Sequence, residues 1–148
     1  MSIDEYLCQV KKLWFRSERL FEKYKAAEED AQAITTKYNF GMPSSKTNKN
    51  HSEERLIRMI TAKDRWQLAL LDYLEARQDL FSFIIQLPAE ECDLLHYRYI
   101  KIKTMDQISD EWEQINGCAM SKRQLFRILI KAKDDLKQLL IVNGRTIE

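Results

Sequence analysis

The chain has 148 residues, of which 45% are hydrophobic and 32% charged, the composition of one folded domain of ordinary size. Its 24 basic and 23 acidic residues leave a net charge of +1, so the overall charge indicates neither a nucleic-acid nor a membrane partner, and any such surface must be local. Cys8, Cys92 and Cys118 lie far apart and form no CxxC motif, which argues against a disulfide framework or a zinc site.

The first predicted element is a long helix over residues 3–38. Only three glycines and two prolines occur in the whole chain, and both residue types break helices. Apolar and aromatic side chains recur here at heptad spacing, which predicts a helix roughly 50 Å long. Its two sets of heptad positions, in which only Ser17 is polar, are Ile3, Val10, Ser17, Tyr24, Ala31 and Tyr38, and Tyr6, Leu13, Leu20, Ala27 and Ile34.

A polar segment, residues 39–51, predicts a loop, because it contains Gly41 and Pro43 among serines and asparagines. Ser52 then predicts the start of a second long amphipathic helix, which Pro88 ends. Lys63 and Arg77 interrupt its apolar stripe at seam positions, where polar residues fix register or partner. The two helices together predict a coiled-coil-like hairpin over residues 1–87, whose stripes need a third helix or a second copy of the chain to cover them.

Three further helices are predicted in residues 88–148. The first covers about 88–99, and the KIK segment at 101–103 connects it to the second. Thr104 caps a helix over 105–115, and Asn116–Gly117 is a strong turn signal. Ser121 caps a last helix that continues to 142, where Asn143–Gly144 stops it. The sequence therefore predicts an all-α protein in two parts, 1–87 and 88–148.

The order of helix, connector, helix, turn and basic helix in residues 88–148 is typical of a helix-turn-helix, whose last helix reads the major groove of DNA. Residues 121–133 contain five basic residues and no acidic one, a local excess of positive charge in a neutral chain. The apolar residues of this helix predict a buried stripe of Leu125, Ile128, Leu129, Ala132 and Leu136. The candidate DNA-contacting residues are Thr104, Ser121, Lys122, Arg123, Gln124, Phe126, Arg127 and Lys131.

Three segments carry a resemblance to region 4 of the bacterial sigma-70 family, the part that reads the −35 promoter element. They are LLHYRYI with Arg98 and Tyr99, TMDQIS at 104–109, and SKRQLFRILIKAKDDLK at 121–137. The whole chain is also similar to a family of small proteins encoded by phages and prophages of Gram-positive bacteria, long catalogued as a domain of unknown function. The resemblance implies a sigma-type helix-turn-helix in a transcription regulator related to phage late-gene activators.

Two features depart from the sigma pattern. Ser121 follows Trp112 by nine positions, more than the family usually has, so residues 113–120 either lengthen the second helix or enlarge the turn. Arg123, Phe126 and Arg127 stand where sigma factors carry Glu, Arg and Gln, so the family's base preferences do not transfer. Arg123 is expected to pair with guanine, and Lys122 and Arg127 with guanine or phosphate.

The sequence predicts no enzymatic activity. It contains no nucleophile motif, no glycine-rich phosphate loop and no paired-carboxylate signature. His51 and His96, without other ligands at metal-binding spacing, are interpreted as a loop residue and a structural residue. We therefore expect no catalytic residue, metal or cofactor. Since no signal peptide and no apolar run of about 20 residues is present, we expect a protein of the bacterial cytoplasm without a membrane partner.

The leading hypothesis from the sequence is a sequence-specific transcription regulator that binds promoter DNA through residues 121–142. Residues 1–87 would serve self-association or contact with RNA polymerase, because a single helix-turn-helix has a small interface. One alternative is a DNA-packaging protein similar to phage terminase small subunits, which assemble as rings. The other is a helical protein-interaction module that does not bind DNA, and the ten basic and ten acidic residues of 88–148 favour it.

Overall fold

The computed structural model describes the backbone of residues 1–39 and 46–148, and the side chains of residues 1–33 and 51–148. Helices make up nearly all of this part of the chain, and no strand occurs in it, which confirms the all-α prediction. The helices are α1 (Ile3–Asn39), α2 (Lys46–Ile84), α3 (Ala89–Leu95), which continues as a π-helical turn (His96–Ile100), α4 (Met105–Asn116) and α5 (Lys122–Val142).

The predicted boundaries of the second helix are wrong at both ends. Helix α2 begins at Lys46 rather than Ser52, because the segment from Lys46 to His51 has no glycine or proline to stop a long helix from propagating. The rest of the predicted loop, residues 40–45 with Gly41 and Pro43, lies outside the described residues. At the other end, α2 stops at Ile84, and a turn over residues 85–87 precedes Pro88. A proline disfavours helical geometry at the residue before it, so the helix cannot continue to Pro88.

The chain forms two compact units. One contains Leu13–Tyr73, and the other contains Met1–Lys12 together with Leu74–Glu148. The division between residues 87 and 88 was drawn from the expected roles of the two parts, and it stays a prediction.

Aromatic rings fill the inner face of the unit Leu13–Tyr73. Trp14 lies 5.1 Å from Tyr73, and Trp66 lies 4.9 Å from Phe21, measured between ring centroids. Tyr24 stacks on Trp66 with centroids 5.6 Å apart. Within the unit, Tyr73 is buried, whereas the side chains of Trp14, Tyr24 and Trp66 are only half-buried. The aromatic rings of the two helices therefore pack on one another, and Trp14, Tyr24 and Trp66 each keep part of their surface exposed.

The polar residues predicted on the apolar stripes of the hairpin differ in burial. Ser17, the polar member of the heptad, is buried, and its hydroxyl donates to the Trp14 carbonyl at 2.8 Å, so its burial leaves no unsatisfied donor. Lys63 and Arg77 were predicted at seam positions, but both side chains are exposed. That prediction is wrong, because the apolar face of α2 passes through Trp66, Ala69 and Tyr73 and leaves both cations in solvent.

The second unit is built around α3, α4 and α5, which pack on one another. The first turns of α1 and the last turns of α2 belong to the same core. Tyr6 donates to Asp79 Oδ2 at 2.9 Å, Arg145 reaches Asp79 Oδ1 at 2.6 Å, and Lys133 pairs with Asp4 at 2.8 Å. The fully buried large side chains are Leu7, Val10, Leu80, Ile84, Leu94, Leu95, Ile108, Trp112, Leu125, Leu136 and Leu140.

Helices in the described part of the chain are too polar or too short to cross a membrane.

Candidate nucleic-acid interface

Helix α4 begins where the sequence predicted, at a capping box. The Thr104 hydroxyl accepts from the Gln107 backbone N–H at 3.2 Å, and the Gln107 side-chain oxygen accepts from the Thr104 N–H at 3.0 Å. The connector before it turns sharply at Ile102, whose φ of 55° is in the left-handed region. Arg98 of the RY pair fixes this connector by donating to the Lys103 carbonyl at 3.1 Å, while Tyr99 is buried. Both residues are thus structural.

Residues 113–120, which exceed the usual spacing of the sigma pattern, both lengthen α4 and enlarge the turn after it. Helix α4 continues through Asn116, and Gly117 ends it in the left-handed conformation with φ 83°. This conformation favours glycine, so the predicted Asn116–Gly117 stop is confirmed. The turn is tied back to α4, because the Ser109 hydroxyl donates to the Met120 carbonyl at 3.1 Å.

A second capping box starts α5, as the sequence predicted for Ser121. The Ser121 hydroxyl accepts from the Gln124 N–H at 3.3 Å, and the Gln124 side-chain oxygen accepts from the Ser121 N–H at 3.0 Å. Three of the predicted contact residues, Thr104, Ser121 and Gln124, therefore use their side chains to cap helices. Capping positions them at the first turns of α4 and α5 and fixes the direction of both helices.

The two sides of α5 differ in polarity. Leu125, Leu129, Ala132 and Leu136 of the predicted stripe are buried, together with Leu140, whereas Ile128 is half-buried. At 100° per residue, Arg123, Arg127 and Lys131 lie on the opposite side of the helix. They are exposed, as are Lys122 and Phe126. The burial pattern therefore confirms four of the five residues of the predicted stripe and the exposure of these five residues, whereas their contact with DNA stays a prediction.

The exposed cations of α5 differ in their partners. Lys122 Nζ lies 2.9 Å from Asp106 Oδ1 in the first turn of α4 and 5.9 Å from the centre of the Phe126 ring. Both ends of this ion pair are exposed, at 49% and 74%, so it contributes little to stability. Arg123, Arg127 and Lys131 form no ion pair with any residue that the structure describes.

The outer face of α5 also contains a residue that the sequence analysis missed. Ile130 lies between the basic residues and is 69% exposed, the most exposed isoleucine of the described chain. Ile130 follows Arg123 by seven residues and Arg127 by three, and this spacing indicated that it lies on the same face of α5 as the two arginines. An exposed aliphatic group among cations suits contact with a thymine methyl. Asp134, one turn later, ends the basic surface, which thus covers the first three turns of α5.

Two lysines next to α4 were missed as well. Lys101 and Lys103 lie on the connector, with their ammonium groups 5.1 and 5.5 Å from the centre of the Tyr97 ring. Lys103 also pairs with Glu111. Lys101 is exposed and close to the start of α4, the helix that in a helix-turn-helix approaches the DNA backbone.

A buried acid lies on the inner side of α5. Glu91 of α3 is 3% exposed, and burial, together with the neighbouring Asp135 carboxyl, raises the pKa of Glu91 to about 7. The positive charge of Lys131 opposes this shift only in part. We therefore expect the contact between α3 and α5 to weaken as pH rises through neutrality.

Residues that could support other chemistry do not converge. In the described part of the chain, no three His, Cys, Asp or Glu side chains are arranged to hold a metal ion. His96 packs between the rings of Phe81 and Tyr97, and burial, with help from nearby Lys101, lowers the pKa of its imidazole. His51, predicted in a loop, lies on α2 and is exposed. Its Nδ1 lies 3.8 Å from Glu54 Oε2 on the exposed surface of α2.

Comparison with known proteins gave no relative from which function could be transferred: no family model, curated protein or solved structure matches the chain significantly.

Proposed function

We propose that the chain is a non-enzymatic, sequence-specific DNA-binding protein that regulates transcription from promoters and reads the major groove through α5. The proposal includes its similarity to sigma-70 region 4, a phage or prophage origin and action in the bacterial cytoplasm. One observation carries it. Arg123, Arg127 and Lys131 project from the first three turns of α5, opposite its buried stripe, and form no ion pair among the described residues, although the charge of Lys131 reaches Glu91.

Three unpaired cations on one helix face repel one another, and a polyanion would remove this cost. Their position also supports major-groove reading, because the N-terminal turns of a recognition helix carry the side chains that meet base edges. The capping boxes at Ser121 and Thr104 add rigidity, so the side chains are presented by fixed backbones. Arg123 suits bidentate pairing with guanine, and Lys122 suits phosphate.

In this proposal the helical hairpin serves self-association or binds RNA polymerase. A single helix-turn-helix buries a small area on DNA, and a second copy would add the contacts that a tight operator complex needs. Ile57, Ile60 and Leu71 of α2 are exposed apolar residues that a partner would cover.

The test is selection of bound sequences from a library of random duplexes, followed by measurement of affinity for the selected and an unselected duplex at one salt concentration. We expect enrichment of one motif that includes guanine, and an affinity for it about 1,000-fold or more above that for random DNA. Enrichment of no motif, with equal affinity for all duplexes, would contradict sequence-specific reading.

A protein-interaction module remains the second candidate, because residues 88–148 carry ten basic and ten acidic residues and so have no net charge. In this candidate, Ile130 and the exposed Phe126 would contact a protein. Failure to bind any duplex at low salt, with the protein folded, would favour it over DNA binding.

A further inference from the structure

A groove on the unit Leu13–Tyr73 is positively charged along its edges. It lies between α1 and α2, has a volume of about 390 Å³, and is lined by Arg16, Arg19, Leu20, Lys23, Arg65, Leu68, Ala69 and Asp72. We refer to these residues as the hairpin groove. Four of the eight are cations and one is an acid, so the groove is far more basic than the chain as a whole.

The four cations of the hairpin groove lack partners. None of them forms an ion pair with an acid among the residues that the structure describes. Arg16, Arg19 and Lys23 recur at spacings of three and four, so they form one row along about 10 Å of α1. Arg65 faces this row from α2. Like charges held this close favour an anionic partner, because such a partner removes their mutual repulsion.

Three apolar residues line the hairpin groove together with the cations. Ala69 is buried and Leu20 half-buried, and Leu68 is 64% exposed, so a partner that covered Leu68 would gain from its burial. Two packed helices also provide the groove in which a third helix lies in a helical bundle. Apolar and basic side chains in one groove match an amphipathic helix with leucines on one face and acids beside them.

We infer that the hairpin groove binds an acidic amphipathic helix of another protein. A nucleic acid fits less well, because the exposed Leu68 would gain nothing against a phosphate backbone, whereas leucines of an amphipathic helix would cover it. The acids of the partner helix pair with Arg16, Arg19 and Lys23, and its apolar residues contact Leu20 and Leu68. The inference does not depend on DNA binding by α5.

The test uses a fluorescent synthetic peptide of three heptads, with leucine at the first and fourth positions and glutamate at the fifth and seventh, titrated with the full chain. We expect saturable binding with Kd below about 100 μM, weaker binding at high salt, and no binding of the same peptide with lysine in place of glutamate. Lack of binding by the glutamate peptide would overturn the inference.

Variants locate the bound peptide. Arg19→Glu/Lys23→Glu should weaken binding about tenfold or more, through the loss and reversal of two ion pairs. Leu68→Ser should also weaken it, since an apolar contact with the peptide is lost, and this exposed position allows the change without unfolding. Arg58→Glu/Lys63→Glu is the control matched for charge, because both residues are exposed on α2 and neither is part of the groove, and it should bind as the parent does.

Two outcomes would assign the groove to another partner and so overturn the inference. In the first, the charge-reversal variant, but not Leu68→Ser, loses affinity for a single-stranded or duplex oligonucleotide while the peptide binds all variants equally. In the second, sedimentation shows that the groove variants change the number of chains in the assembly, which would make the groove a contact between copies. Circular dichroism checks that each variant is helical.

Discussion

Individual side chains on α5 differ in whether they already have a partner within the folded chain. Arg123 has no acidic partner among the described residues, whereas Lys122 is held at Asp106, 2.9 Å away. Ser121 and Gln124 are committed to the cap. Arg123 therefore offers its whole guanidinium to a ligand, and Lys122 must exchange one ion pair for another.

Replacing Arg123 with alanine should lower affinity for the selected duplex by about 1–3 kcal/mol and affect random DNA much less, because a bidentate contact to guanine is lost. Fluorescence anisotropy on both duplexes measures this. Lys137→Ala, four turns along α5 from the cap, is the control and should change neither affinity. Equal losses on both duplexes would reassign Arg123 to a phosphate contact.

Replacing Lys122 with alanine should weaken both duplexes about equally and lower the salt slope of log affinity by about one, as expected for one phosphate contact. Its pair with Asp106 is exposed, so stability should change by less than about 1 kcal/mol. A selective loss on the selected duplex would show instead that Lys122 reads a base.

Glu91 makes stability depend on pH. Its pKa is about 7 in the folded chain and near 4.5 when unfolded, so the folded state holds the proton more tightly. This contribution is complete below about pH 4.5 and is lost as pH rises through 7. In urea unfolding, the free energy of unfolding of the parent should therefore fall between pH 5 and pH 8. This fall should exceed the fall measured for Glu91→Gln by about 1–3 kcal/mol. Glu90→Gln, at an exposed position, is the control, and a difference between parent and Glu91→Gln that does not change with pH would contradict the argument.

At the scale of elements, the ends of α4 and α5 set the geometry of the interface. Both helices start with a capping box, and Gly117 ends α4 in a conformation that other residues rarely adopt. A side chain added at Gly117 meets no atom within 4 Å, so backbone strain alone decides the effect of a substitution.

Gly117→Ala should destabilise the chain by about 1 kcal/mol, because of the positive φ, and Gly117→Asn should cost less, because asparagine tolerates this conformation. Thermal unfolding followed by circular dichroism ranks the two variants. If alanine and asparagine cost the same, strain at this residue does not determine the turn.

Helix boundaries marked by a capping residue or an Asn–Gly pair were predicted from the sequence. Thr104, Asn116–Gly117, Ser121 and Asn143–Gly144 each gave a boundary of α4 or α5 that the structure confirms within one residue. These signals are local, since each depends on one or two side chains and the backbone next to them. The start of α2 failed because the polar residues 46–51 form a helix by continuation from the residues after them, which composition alone does not show.

The candidate site was predicted in part. Exposure of Lys122, Arg123, Phe126, Arg127 and Lys131 followed from the helical period of the buried stripe. Ile130 was missed because an isoleucine in an apolar-rich helix is normally assigned to the core. The hairpin groove was missed because its cations come from two distant segments, and only the packing of α1 on α2 brings Arg19 and Arg65 together.

For the molecule as a whole, charge is distributed unevenly although the net charge is only +1. Eight of the 24 basic residues lie in two groups of four, on the exposed side of α5 and in the hairpin groove, while α3 and α4 carry most of the acids of residues 88–148. Two separate basic surfaces fit a protein with two partners.

Self-association through the hairpin is expected from its exposed apolar residues and half-buried aromatic rings. Sedimentation at micromolar concentration should give a dimer or a higher oligomer, and Ile60→Glu/Leu71→Glu should reduce its size while leaving each chain helical. Native mass spectrometry then separates a dimer from the large ring expected of a DNA-packaging protein. A monomer at all accessible concentrations would refute this prediction.

The salt dependence of DNA affinity tests the central claim most directly, because it counts the phosphates that the protein neutralises. With about three to five contacts per chain, log affinity should fall against log salt with a slope of about three to five, or twice that for a dimer. Arg127→Ala/Lys131→Ala should lower that slope by about two per chain. A slope near zero for the folded parent protein, or a slope that these substitutions leave unchanged, would contradict DNA binding through α5.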